Sequence, residues 1–252
     1  MIATSTNFIA FDTCKALRDR GTGLLVHYEA ALDQAVESSP PPFGQAWYGV
    51  KYRSVAADPQ WFATSLIANS EKEAEGSRKL WELAGRCSIP EIAEAIRQHA
   101  IDESRHALLY LAILDLIFPG ALDDDAKQYA NSLSPRYSQH DFPPDVDKVS
   151  IEVVLDELIQ MNIGEIRTRI HQLLLRPVAM AYCPEENQMK LTRILDSLME
   201  DETKHIDYTA RLIDRLGHEL SLELVQAIMT QRVAEFNEIT LSEVGEQKFL
   251  GE

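Results

Sequence analysis

IDESRHALLY, residues 101–110, sets a carboxylate, a cation and an imidazole into a run whose apolar residues recur at three and four, and MEDETKHIDY, residues 199–208, repeats the arrangement later in the chain. In a helix the side chains at i and i+3 share a face, so Glu103 with His106, and Glu202 with His205, each present an oxygen and a ring nitrogen together. Ile92, Ile96, Ala100, Ala107, Tyr110 and Leu114 follow the stripe of the first pair. Leu195, Leu198, Met199, Ile206 and Leu212 follow that of the second. Both pairs are therefore expected to face a core, where each uncompensated charge costs roughly several kcal/mol. A divalent iron or manganese ion compensates carboxylate oxygen and imidazole nitrogen directly, and two such pairs call for two metals.

Outward from these motifs the 3.6-residue period runs through the chain, and the expectation is an all-α protein of one domain, 1–252. A first helix is expected over about residues 12–38, closed by SSPPPFG. After a short helical or irregular segment, Asp58 is placed as N-cap of a helix with Pro59 at its first position, running to about Arg86. Ser88, with Pro90 and Glu91, reads as the capping box of the next helix, over about 89–118, which FPG stops. Residues 119–147, rich in Pro and Asp, read as a long crossover holding one short helix. A third long helix starts near Ser150 and continues past Pro177 through VAMAY; a fourth runs from about Glu185 to Leu216 and stops at Gly217; a last covers about 221–242 before a polar tail. Two helical hairpins joined by a long connection describe a four-helix bundle with one crossover, its core at about 60–216, and additional flanking helices.

A dinuclear site needs one further carboxylate on each of the other two helices. Glu71, Glu73 and Glu75 are available on the first; Glu71 shares a face with Ile67, Ala74 and Trp81 and is the preferred choice. Glu165 lies on the stripe of Leu158, Met161, Thr168 and Gln172, with Glu157 as the alternative two turns away. Hairpins that turn midway place Glu71, Glu103, Glu165 and Glu202 at comparable heights, roughly 20 Å from the turns.

A Glu from each of two helices and Glu-x-x-His from each of two others resembles the ferritin-like di-iron carboxylate superfamily. DESRH and DETKH are similar to the Asp-Glu-x-Arg-His motifs of its oxygen-activating branch: bacterial multicomponent monooxygenases, ribonucleotide reductase small subunits and arylamine N-oxygenases. Glu71 with Ala74 matches the Glu-x-x-Ala of many members; Thr168 and Lys204 depart from the usual Ala and Arg. The resemblance implies Glu71, Glu103, His106, Glu165, Glu202 and His205 as metal ligands forming the catalytic centre, with Asp102 and Asp201 orienting the histidines. It implies two Fe ions, or a Mn/Fe pair, and O₂ as co-substrate. His99, one turn before Glu103, is expected to hydrogen-bond behind the ligands rather than join them. Tyr110 stands four residues after His106, the spacing of the radical-forming tyrosine in ribonucleotide reductase small subunits; an ordinary core tyrosine is the alternative.

The expected function is an O₂-dependent di-iron oxygenase that hydroxylates or N-oxygenates a small organic molecule, with electrons from a reductase or ferredoxin. The alternatives are a ferroxidase or iron-handling protein and a metal-free helical interaction protein. The net charge of -16 disfavours a nucleic-acid partner and, with it, a tRNA hydroxylase. ALLYLAILDLIF is too short to span a membrane, and no secretory signal is read at the start, so a cytoplasmic protein is expected; a homodimer is compatible. Cys14, Cys87 and Cys183 are too few and too scattered for a disulfide framework.

Overall fold

The computed structural model describes residues 8–138 and 140–245, and every regular element among them is helical. In chain order the α-helices are α1 (Phe8–Asp19), α2 (Val26–Ser38), α3 (Ala46–Ala56), α4 (Pro59–Arg86), α5 (Pro90–Ile117), α6 (Asp124–Leu133), α7 (Ile151–Tyr182), α8 (Gln188–Glu219) and α9 (Leu222–Gly245), with 3₁₀ turns at Pro42–Gly44 and Glu185–Asn187. The all-α expectation stands. The first seven residues, used in reading the start of the chain, and the polar tail beyond 245 lie outside the described residues.

Several boundaries differ from the expectation, each for a local reason. The single helix expected at 12–38 is two, because Gly21 takes φ +82 and closes α1. Asp58 caps α4 as expected, its carboxylate accepting from Gln60 N at 2.9 Å with Pro59 following. Ser88 does not cap α5: Ile89 occupies the N-cap without a side-chain bond, and Pro90 alone sets the first turn. Pro177 lies inside α7. Gly217 does not end α8, which continues to Glu219. A Cβ there would stand 2.9 Å from the Cβ of His27, so this glycine serves close approach, not helix termination.

The described chain forms two compact units. One comprises Ser54–Val149 and Leu175–Asp201. Its centre is the antiparallel hairpin of α4 and α5, whose register is fixed by two buried serines: Ser70 Oγ donates to Ala107 O, and Ser77 Oγ to Ala100 O, both at 2.7 Å. The small serines let the helices approach, and each bond satisfies a buried hydroxyl. The Pro-rich crossover is laced onto this hairpin. Ser134 Oγ donates to Ser104 O at 2.6 Å, Tyr137 stacks on Trp81 with centroids 3.9 Å apart, and Arg97 reaches Asp141 O while lying over the Phe142 ring. Lys148 Nζ donates to Gly85 O at 2.9 Å, and Val149 N to Arg86 O at 3.1 Å.

The other unit draws on the chain up to Arg53, on Ser150–Leu174 and on Glu202 onward. Here α2 packs on α9 and α1 on α2. Buried Asn162 joins three helices: its amide donates to Ile206 O and to Thr209 Oγ1 at 2.9 Å, and its oxygen accepts from Tyr28 OH at 3.0 Å. With its hydrogen-bonding capacity largely used, Asn162 fixes α7 against α8 one turn from Glu165.

Two glycines of α4 separate helix propensity from packing. A Cβ at Gly76 meets nothing within 4 Å, so Gly76→Ala is expected to raise stability by about 0.5–1 kcal/mol. At Gly85 the Cβ would lie 2.3 Å from Pro144 O, a backbone atom of the crossover. Gly85→Ala is therefore expected to lower stability by about 1–3 kcal/mol despite the same propensity gain. Urea unfolding midpoints of the two variants check the opposite signs.

Candidate metal centre

Each unit carries its own cluster of carboxylate and imidazole. In the α4–α5 unit, ligand atoms of Glu73, Glu103 and His106 lie within 4.8 Å of one another. Glu103 and His106 are buried, one turn apart on the inner face of α5. His106 Nδ1 stands 3.2 Å from Glu103 Oε1, while His106 Nε2 is 3.5 Å from Asp201 Oδ2. His99 Nε2 lies 3.3 Å from the same Glu103 oxygen, which places His99 beside the ligand carboxylate. Arg105 bridges the two aspartates of the motifs, 2.6 Å from Asp201 and 3.1 Å from Asp102.

The α4 carboxylate in this cluster is Glu73, not Glu71. Glu71 is exposed, and Glu75 is exposed and paired with Lys79 at 2.6 Å. The reason is register. Glu73 falls midway between Ser70 and Ser77, as Glu103 falls midway between Ala100 and Ala107, so the serine bonds set Glu73 opposite Glu103. Glu73 also continues the heptad line of Leu66, Ser70, Ser77, Leu80 and Ala84, all buried. Trp81, which drew Glu71 onto an inward stripe, is half-buried against Tyr137 of the crossover.

In the other unit, Glu165 of α7 and Glu202 and His205 of α8 come together. His205 Nδ1 is 3.7 Å from Glu165 Oε2 and 3.9 Å from Glu202 Oε2, and Glu202 and His205 are buried. Glu157 is half-buried two turns before Glu165 and belongs to no such group. Tyr110 is buried one turn beyond His106. Phe62 and Leu66 are fully buried core, Phe62 stacking on Tyr182. His171 pairs with Tyr48 OH at 2.7 Å. Among residues whose grouping was not foreseen, His27, Asp214 and His218 converge.

Burial alone would raise the Glu103 carboxyl, but the charge of His106 and bonds with Glu73, His106 and His99 hold it well below the usual carboxylate range. His106 is the converse. Burial favours the neutral ring, yet Glu103 and Asp201 outweigh it and push the imidazole up to about 9. The cluster thus draws in positive charge, by a proton when no metal is bound. Carboxylate oxygens with ring nitrogens fit divalent iron or manganese, and His106, with one nitrogen toward Glu103 and the other toward Asp201, has the arrangement of a ligand oriented by a carboxylate. The cysteines do not offer a competing chemistry: all three are free thiols, and burial with the charges of Glu29 and Asp33 pushes Cys14 up to about 11.

No family model matches the chain, and neither a curated protein nor a solved structure does. No described helix is long and apolar enough to cross a membrane.

In metal-free protein His106 is expected to titrate near 9, above its unfolded value of 6.5. Its contribution to stability is then full below about pH 6.5 and lost as pH rises through 9. Asp201→Asn removes one of the two charges that hold the proton, so the His106 midpoint read by NMR is expected to fall. The placement of the α4 carboxylates gives a second test: Glu73→Ala is expected to weaken metal binding by about tenfold or more. Glu71→Ala is expected to leave it unchanged in the same titration.

Proposed function

We propose that this protein is an O₂-dependent di-iron oxygenase acting on a small organic substrate, by hydroxylation or N-oxygenation. The observation that carries the reading is the pair of buried Glu-x-x-His clusters, each joined by a second carboxylate from a neighbouring helix. Glu73, Glu103 and His106 would hold one iron, and Glu165, Glu202 and His205 the other; a Mn/Fe pair uses the same donors. Iron bound there would supply the electrons that reduce O₂.

The chain's own residues position that chemistry. Asp201 faces the outer nitrogen of His106 and fixes which nitrogen is available to metal, and Arg105 holds Asp201 in place. His99 stands against Glu103 and limits its swing. Tyr110, buried a turn from His106, is placed as core with the option of a redox role. The irons need re-reduction after each turnover, so a separate reductase or ferredoxin is part of the proposal. The ferritin-like bundle is proposed on the same motifs, and the cytoplasm on the free thiols and charge.

Glu103→Ala and His205→Ala test the reading. Loaded anaerobically with ferrous iron, the parent protein is expected to bind two irons per chain, and each variant to lose at least one by elemental analysis. Unchanged iron content in both variants would sink it. On addition of O₂ the oxygenase reading expects consumption limited by supplied electrons; growth of mineral with many irons per chain would point to iron storage.

A further inference from the structure

One further cluster has no part in the proposed oxygenase. His27 lies in the first turn of α2, and Asp214 and His218 lie one turn apart near the end of α8. One ligand atom from each lies within 4.8 Å of the other two. We propose that His27, Asp214 and His218 form a second kind of metal site, for a borderline divalent cation of the zinc class.

Three features support it independently. First, His27 Nδ1 is buried and has no hydrogen-bond partner among the described residues. An unsatisfied buried polar atom is destabilising, and a metal bond removes that cost. Second, Asp214 is already fixed. Its Oδ1 accepts from the backbone amides of His27 at 2.8 Å and Tyr28 at 3.2 Å, capping α2 from outside the helix. Its Oδ2 is turned to His218 Nε2 at 3.6 Å. Third, room has been made for the ring of His27. The Cβ of any residue at 217 would lie 2.9 Å from its Cβ and 3.3 Å from its Cγ, and position 217 is glycine inside a helix. The two imidazoles meet edge to face with centroids 3.9 Å apart.

Two ring nitrogens and one carboxylate oxygen form a borderline donor set, suited to zinc, nickel or copper more than to calcium or magnesium. Three protein ligands leave a fourth position open, and the His218 side chain is 58% exposed, so the ion exchanges with solvent. Both the last turn of α8 and the chain's net charge of -16 favour a cation there. The site ties the start of α2 to the end of α8, so its expected effect is on stability or metal loading rather than on the reaction.

The test is zinc titration of the full-length protein against a chromophoric chelator, in the parent and in His218→Ala and Asp214→Asn. Asn keeps an oxygen for the α2 cap, and His218 is exposed, so both variants keep the fold; metal-free melting temperatures check this. Each is expected to lose one equivalent of bound zinc, or to bind that equivalent at least about tenfold more weakly. Zinc should raise the melting temperature of the parent more than that of either variant. The same equivalent should persist in a Glu103→Ala/His205→Ala background, which separates this site from the proposed iron centre. Equal zinc stoichiometry and affinity in the parent and both variants would overturn the proposal.

Discussion

The constraint on which the rest depends is the charge of Glu103 beneath a helical core. A carboxylate that is almost fully buried must find positive charge or leave the fold, and here His106 lies 3.2 Å from Glu103 Oε1, with His99 3.3 Å from the same oxygen. The imidazole in turn is held by Asp201, and Asp201 by Arg105. The chain of alternating charges runs outward from Glu103 to an arginine that is half exposed. Each member is tolerable because the next one compensates it. The proposed metal ion would take the place of the proton at the inner end of the same chain.

The scaffold serves this arrangement by fixing heights rather than by supplying chemistry. Ser70 and Ser77 set the register of α4 on α5, and Asn162 sets that of α7 on α8. In both cases a small or amide side chain satisfies buried polar groups on the neighbouring helix. The crossover contributes in a different way. Its prolines and aromatics lie along α4 and α5, with Ser134 bonded to the carbonyl of Ser104, next to Glu103. A segment that reads as a connection in sequence is a cover for the ligand-bearing hairpin.

The all-helical character and the ends of α4 were legible because local rules decide them: Asp58 before Pro59 specifies a start whatever lies beyond. The motif pairs were legible because i, i+3 spacing is a property of one helix. Glu73 was not chosen because its role depends on how two helices align. The information was nonetheless present. Glu73 stands 14 residues before Cys87, which caps α4, and Glu103 stands 14 residues after Ile89, which caps α5. Counting from the caps, rather than following the stripe of Trp81, selects it. The His27–Asp214–His218 cluster joins residues nearly two hundred positions apart through a glycine that reads as a helix stop, and no local pattern announces it.

The central proposal is that each of the two Glu-x-x-His motifs holds an iron. Mössbauer spectra of protein loaded anaerobically with isotopically enriched ferrous iron test it most directly. The account predicts two bound ferrous ions per chain in an oxygen and nitrogen environment. Iron retained at one motif only, or at neither, would contradict it.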